Sequence, residues 1–173
     1  MKLRLQLIGL LIGCSGMALA QEHVHGQGSV FIIQQDKYWQ VQYVIPASDV
    51  LGFTHKPENQ LQRTTLIQLT KVLSHYQHLM RFNKTCEQDS YSHNLLAFEV
   101  DNQSLQHEHH SHDSQHSDLE VTYLIKCSDD IVSISFLVFH QFHRLDKLDV
   151  QWSTNRGQGK ATVSSTSPLL ELQ

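Results

Sequence analysis

The sequence has little proline, cysteine and methionine, and beyond its N-terminal stretch it contains no long hydrophobic run. Proline, cysteine and methionine contribute three residues each to the 173 of the chain. No later segment approaches the roughly eighteen consecutive apolar residues of a transmembrane helix, so we expect no membrane span in the mature chain. The motifs of serine hydrolases, reactive cysteines and phosphate-binding loops are missing as well, which argues against those classes of enzyme.

Residues 1–20 have the pattern of a secretory signal peptide. A basic start and a short apolar stretch precede Ala18-Leu19-Ala20, a small-x-small site that predicts cleavage before Gln21. The stretch Leu11-Ile12-Gly13-Cys14 also fits a bacterial lipoprotein box, in which the cysteine would carry a lipid anchor instead. We expect the first route, which exports residues 21–173 as one domain without an internal repeat.

The mature chain is acidic and rich in histidine. Removing Lys2 and Arg4 from the 13 basic residues leaves 11 against 17 acidic ones, a net charge of −6 with neutral histidine. Such a chain repels nucleic acid and anionic lipid and attracts cations, so we expect no nucleic-acid partner. The 13 histidines are as many as all lysines and arginines together, and their protonation below about pH 6 would reverse the sign of the charge.

The stretch 107–116, which reads HEHHSHDSQH, is half histidine. Neutral imidazole is the most common protein ligand for zinc, so this composition predicts a Zn²⁺-binding loop. Its predicted ligands are His107, His109, His110, His112 and His116. The surrounding insert, residues 101–118, has a single apolar residue, so we expect it to be mobile without metal. The alternative is a solvated low-complexity loop whose metal affinity is incidental.

Three histidines outside the loop are further candidate ligands. His23 and His25 follow the cleavage site at a spacing that, in an extended chain, projects both side chains to one side and lets them share an ion. A frayed terminus without a function is the alternative. For His55, zinc ligation and a purely structural hydrogen-bonding role are equally good interpretations.

The remaining histidines favour structural or surface roles. His75 and His78 are three residues apart in a predicted helix and could hold a metal together, but such pairs more often lie on a solvated flank. For His93, His140 and His143, a surface or packing role is favoured over ligation.

Two cysteines, Cys86 and Cys127, remain after removal of the signal. In an oxidising exported compartment an even pair is most simply a disulfide, and closing a loop of about forty residues would stabilise the fold by roughly 4 kcal/mol in the chain-entropy model. The alternative is a pair of zinc thiolates, which the isolated spacing disfavours because it lacks the paired CxxC of a zinc ribbon.

The hydrophobic pattern predicts an α+β domain. The predicted strands are Ser29–Gln34, Tyr38–Ile45, Asn94–Val100, Leu119–Cys127, Leu148–Ser153 and Gly159–Ser164. Pro46–Phe53 is a predicted short helix or turn, and Ile131–Phe142 is ambiguous between strand and short helix. From Pro57 apolar residues recur at three- and four-residue spacing as far as Met80, which predicts one long amphipathic helix. The sum is an antiparallel β-sandwich-like domain with this helix, and with the histidine loop interrupting a hairpin.

Three parts of the chain together carry a family resemblance. They are His23-Val24-His25, the stretch PASDVLGFTHKP from Pro46 to Pro57, and Val150-Gln151-Trp152 with Gly157-Gln158. With the paired cysteines and the histidine-rich insert, they resemble the ZrgA family of bacterial periplasmic zinc-binding proteins. The resemblance implies a periplasmic β-sandwich-like domain that binds zinc through histidines beside a high-affinity zinc importer. The N-terminal cluster is sparser and the insert shorter than the family pattern. The resemblance therefore implies zinc binding but not the number of zinc ions bound.

The expected function is a periplasmic accessory protein, not an enzyme, that captures Zn²⁺ and supports its high-affinity uptake, with an importer or its periplasmic binding protein as partner. General buffering or sensing of nickel, copper or zinc is the alternative, because imidazole ligands alone do not discriminate these ions. A methionine-rich copper(I) site is disfavoured, since only Met80 remains in the mature chain. A zinc hydrolase is a weaker alternative: HEHHSHD resembles the motif HxHxDH, but Ser111 replaces its aspartate.

Overall fold

The computed structural model describes residues 24–95, 118–128 and 130–172. The predicted signal peptide, His23 and the predicted ligands of the histidine loop lie outside these described residues. Within the described part the fold is mostly β, with largely antiparallel sheets and short helices.

Nine strands and three α-helices follow one another in the described ranges. The strands are β1 (Gln27–Gln35), β2 (Tyr38–Pro46), β3 (Met80–Phe82), β4 (Cys86–His93), β5 (Asp118–Cys127), β6 (Ser133–Phe136), β7 (Lys147–Thr154), β8 (Gly157–Ser164) and β9 (Leu169–Glu171). The helices are α1 (Ala47–Val50), α2 (Gln60–Leu73) and α3 (Val138–Gln141), and a 3-10 turn spans Tyr76–His78. None of these helices is both long and apolar enough to cross a membrane.

Six strands form the larger sheet in the order β4-β5-β2-β1-β7-β8. Its centre is the predicted hairpin of β1 and β2, in which every second residue of β2 is apolar and buried: Trp39, Val41, Tyr43 and Ile45. The prediction of antiparallel strands alone is wrong at one place, because β1 pairs with β7 in parallel. More than a hundred residues separate these two strands along the chain, and local alternation carries no information about such a pairing.

β3, β6 and β9 form a second sheet with β6 in the middle. The sequence pattern does not predict β3 or β9, because three residues are too few for alternation to be visible. Both sheets contribute to one core, in which the Trp39 ring lies 5.9 Å from Phe82 and the Tyr43 ring 6.4 Å from Phe136. Two sheets around a shared core agree with the sandwich-like part of the predicted architecture.

The predicted long helix is wrong in its extent. α2 begins after Asn59, whose side chain accepts a hydrogen bond from Gln62 N, and it ends at Leu73 after 14 residues. Its buried residues Leu66, Leu69 and Leu73 have the predicted spacing. The chain then leaves helical geometry at His75, which has extended backbone angles, and the apolar residues beyond it belong to the 3-10 turn and to β3.

The segment after β2 has the predicted short helix. Pro46 closes β2, α1 follows at once, and Gly52 ends it with a φ of 82° and an N–H that donates to Ser48 O over 3.1 Å. Left-handed glycine just past a helix is the usual C-terminal cap.

β4 and β5 form the hairpin that the insert interrupts, and their outer ends are joined by the predicted disulfide between Cys86 and Cys127. The predicted strand Asn94–Val100 is wrong where the structure describes it: the strand is Cys86–His93, and Asn94 follows it. Most side chains of β4 are exposed, so its sequence does not alternate between apolar and polar residues. A strand at the edge of a sheet needs only one weakly buried face.

Two predictions concern the C-terminal third of the chain: the segment that is ambiguous between strand and helix, and the closing hairpin. The segment Ile131–Phe142 contains both a strand, β6, and a short helix, α3. β7 and β8 pair along their whole length, as the closing hairpin predicts, with Asn155 and Arg156 in the turn between them.

Two buried tyrosines differ in their hydrogen bonds. Tyr123 on β5 donates to Leu73 O, at the end of α2, over 2.8 Å. The hydroxyl of Tyr43 on the neighbouring β2 has no hydrogen-bond partner among the described residues. Burial raises the pKa of both hydroxyls above the usual value of 10.0, so both remain neutral in the folded protein at pH 7.

Tyr123→Phe and Tyr43→Phe form a matched pair of variants. Tyr123→Phe leaves the Leu73 carbonyl unpaired in the core, so we expect the free energy of unfolding to fall by about 1–3 kcal/mol. Tyr43→Phe removes a hydroxyl without a partner, and we expect a change below about 0.5 kcal/mol. Urea unfolding measures both values, and equal losses would show that the Tyr43 hydroxyl also makes a stabilising contact.

Candidate functional site

Strand register brings four chain segments to one end of the larger sheet. β1 starts at Gln27, two residues after His25, and pairs there with Lys147, the first residue of β7. β2 ends at Pro46, which lies opposite Asp118, the first residue of β5 after the insert. We call this end, marked by these four strand residues, the histidine end. The N-terminal histidine, α1, the connection before β7 and the return of the insert all meet at it.

Gly26 attaches the N-terminal segment to the histidine end. Its N–H donates to Asp49 Oδ2 over 2.7 Å, and its carbonyl accepts from the N–H groups of Asp146 and Lys147 over 2.7 and 3.0 Å. Its φ of 78° lies in the left-handed region that favours glycine. A Cβ at this position would also lie 2.9 Å from Asp146 Oδ2 and 3.3 Å from Arg144 O, so a larger residue would require these neighbours to shift.

Asp49 of α1 is a buried carboxylate, with 7% of the residue exposed. A buried charge is stable only with compensating donors, and the Gly26 N–H is one of them. His25 adds a second polar neighbour, because its Nδ1 lies 3.8 Å from Asp49 Oδ1. Its side chain is nevertheless 79% exposed. The imidazole therefore has one nitrogen beside a fixed carboxylate while the ring remains accessible to solvent.

These residues line an open cleft of about 490 Å³. Its polar lining residues are His25, Ser48, Asp49, His143, Arg144 and Asp146. Arg144 Nη1 donates to Ser48 O over 3.1 Å and so ties the connection before β7 to α1. Gly52 makes room for this contact, since a Cβ there would lie 2.7 Å from Arg144 Nη1. The glycine of PASDVLGF thus serves both the helix cap and the wall of the cleft.

The cleft contains the donor types that zinc uses, imidazole nitrogen and carboxylate oxygen. Within the described ranges, however, no group of three or more histidine, cysteine, aspartate or glutamate side chains is arranged to hold a metal ion. His25 and Asp49 are thus a pair of neighbouring donors, and the cleft as it stands is not a complete four-ligand site.

His55 lies on the exposed loop after α1 and is not among the residues that line the cleft. Its Nδ1 lies 2.8 Å from Lys56 O, and because a carbonyl only accepts, the imidazole is the donor. Glu58 Oε1 lies 3.7 Å from the same nitrogen. The structural role predicted for His55 has this hydrogen bond in its favour, and its zinc ligation stays a prediction.

Sequence reasoning does not single out Asp49, and it assigns His143 a surface role. The structure places both in the cleft, although His143 is indeed exposed. In the sequence, Asp49 is recognisable only as an acidic residue inside the distinctive PASDVLGF stretch. Its buried position involves a hydrogen bond from Gly26, 23 residues earlier, which no local pattern indicates. The roles of His23 and of the five loop histidines remain predictions, because these residues lie outside the described ranges.

Comparison with known proteins identifies the family. A search of curated proteins finds no match to the chain. The family model described as "ZrgA family zinc uptake protein" matches residues 22–172, which include the cleft, the disulfide and the insert. The resemblance inferred from sequence is thereby confirmed, and the chain belongs to the ZrgA family of zinc uptake proteins.

Proposed function

We propose that this protein is a periplasmic accessory protein that captures Zn²⁺ through its histidine clusters and supports high-affinity zinc uptake. Family membership supports the zinc uptake role. The observation that carries the finer proposal is His25 beside the buried Asp49 in an open cleft, at the sheet end where the histidine-rich insert returns. In this proposal the protein is a binding protein without catalytic activity.

His25 suits the role of a zinc ligand because of its surroundings. Metal-binding histidines commonly have a carboxylate or carbonyl beside the nitrogen that does not bind the metal, which favours a proton there and leaves the other nitrogen free. Asp49 Oδ1 lies 3.8 Å from His25 Nδ1, which is an ion-pair distance and not a hydrogen bond, and Ser48 Oγ lies 3.4 Å from the same nitrogen. Nε2 of His25 is then the ligand atom, and His23 would extend the site as the other half of the HxH pair.

The insert supplies the second part of the proposal. It follows β4 in the chain and ends at Asp118, where β5 begins. Asp118 lies opposite Pro46, and Pro46 is three residues before Asp49. Its five histidines would collect zinc from solution, and the cleft would receive it at the histidine end. An acidic mature chain attracts the cation to both places. The partner that accepts the zinc would be an importer or its periplasmic binding protein.

The loop histidines are tested by zinc calorimetry on the mature chain. Replacing His107, His109, His110, His112 and His116 by asparagine removes imidazole ligands but keeps the length and polarity of the loop. We expect the number of bound zinc ions to fall by at least about one, because a site needs several such ligands. A control variant with alanine at Ser104, Ser111 and Ser114 should bind as the parent does. Unchanged binding after the histidine replacement would exclude the loop as a principal site.

The cleft is tested in the same loop-histidine variant, where only the folded domain and the N-terminus can bind zinc. Asp49→Ala removes the carboxylate beside His25, and we expect the remaining zinc affinity to fall about ten- to hundredfold. It also removes the acceptor of the Gly26 N–H, so hydrogen exchange at Gly26 should become faster. Glu171→Ala is the matched control, since it removes one exposed carboxylate from β9 of the second sheet, away from the cleft. Equal zinc affinity in both variants would remove Asp49 from the site.

Zinc delivery is tested in cells. A strain that lacks the gene should grow poorly under zinc chelation and recover when zinc is added, because scarce zinc would no longer be captured for import. Nickel and copper limitation serve as controls for metal identity, since imidazole sites also bind those ions. Normal growth under zinc chelation would favour buffering or sensing over supply.

A further inference from the structure

The end of α2 is capped by the side chains of Ser74 and His78, and His75 contacts Ser74. Ser74 Oγ donates to Lys71 O over 2.7 Å, and His78 Nδ1 lies 2.8 Å from Val72 O. His75 Nδ1 lies 2.8 Å from Ser74 Oγ. The last carbonyls of a helix have no partner inside it, so these contacts satisfy groups that would otherwise need water.

The hydrogen bonds fix the tautomer of both imidazoles. A backbone carbonyl only accepts, so the proton of neutral His78 is on Nδ1. A serine hydroxyl has one proton, and that of Ser74 is donated to Lys71 O, so His75 Nδ1 must be the donor in its contact with Ser74 Oγ. In both neutral rings Nε2 is therefore the nitrogen with a free lone pair.

The two rings are close enough to share one ion. Their centroids lie 5.7 Å apart with 64° between the ring planes, and both residues are exposed. Two imidazoles that bind a tetrahedral zinc at about 2.0–2.1 Å have centroids about 5 Å apart. The observed separation exceeds that by less than an ångström, and a shared ion requires the two exposed rings to turn their Nε2 atoms toward one point. A hydrogen bond from Nδ1 to a backbone or side-chain oxygen is also the usual support of a histidine that ligates through Nε2.

The surroundings favour a cation. The pair follows the C-terminal end of a 14-residue helix, where the aligned peptide dipoles carry a partial negative charge. Tyr76, between the two histidines, is buried and its hydroxyl donates to Cys86 O over 3.0 Å. This contact anchors the turn that carries both rings, and it lies at the disulfide end of the larger sheet, away from the histidine end.

We propose that His75 and His78 form a two-histidine site for a divalent metal ion such as Zn²⁺, with both Nε2 atoms as ligands and Ser74 and Val72 O as the groups that orient them. Two protein ligands leave the other coordination positions to water, so the site is weak and exchanges its ion readily. The inference goes beyond zinc capture at the histidine end and does not depend on it.

The test follows the imidazole nitrogens of the full mature chain by long-range ¹H–¹⁵N NMR during a titration with zinc chloride. Without metal, both residues should show the proton on Nδ1. With zinc, the Nε2 signals of His75 and His78 should shift together with one midpoint. If either Nε2 signal remains unshifted at millimolar zinc, the site does not exist. Because the signals are resolved by residue, such a failure would leave binding at the cleft or the loop untouched.

Two variants separate chelation from independent binding. His78→Gln removes one ligand, so the shift at His75 should require at least about tenfold more zinc. His140→Gln, at another exposed histidine, is the matched control and should leave both signals unchanged. Ser74→Ala removes the acceptor of the His75 Nδ1 proton and should weaken the site about ten- to hundredfold without removing a ligand. An unchanged midpoint at His75 in His78→Gln would overturn the shared site.

Discussion

The buried charge of Asp49 is the constraint on which the histidine end depends. A carboxylate inside a small domain must be matched by donors, and its donor comes from the backbone of Gly26. That bond, with the contacts of His25 to Ser48 and Asp49, holds the segment before β1 against α1, and the carbonyl of the same glycine continues the contact to the start of β7. Three segments from distant parts of the sequence are thus fixed around one charged side chain. His25 occupies its position as a consequence, directly beside the residue that makes the bond.

The two ends of the larger sheet differ in character. Its disulfide end has the covalent bridge, and the buried Tyr123 below it is hydrogen-bonded to the end of α2. Its histidine end has an open cleft, an exposed imidazole and the return of the insert. The covalent bridge and the solvent-accessible cleft therefore lie at opposite ends of the same sheet.

The predictable parts of the structure are those specified by neighbours in sequence. Alternation in β2, the proline and glycine around α1, and the spacing of leucines in α2 each act within a few residues. β2 and α1 form where predicted, and α2 forms over part of its predicted length. The parallel contact of β1 with β7 and the burial of Asp49 depend on distant segments, and no local pattern contains them. The helix stops short of its apolar pattern because Met80 and its neighbours pack as a strand in the second sheet. The number of histidines in the sequence indicates the type of metal ligand, but it does not indicate which imidazoles lie beside a carboxylate.

The disulfide also changes what a break in the insert would do. Cys86 and Cys127 flank the insert at a sequence separation of 41, and they are joined across β4 and β5. A protease that cuts the chain between those strands would therefore release neither half, because the two fragments remain covalently linked and their strands remain paired. The disulfide thus keeps the two parts of the domain joined wherever the chain between β4 and β5 is cut.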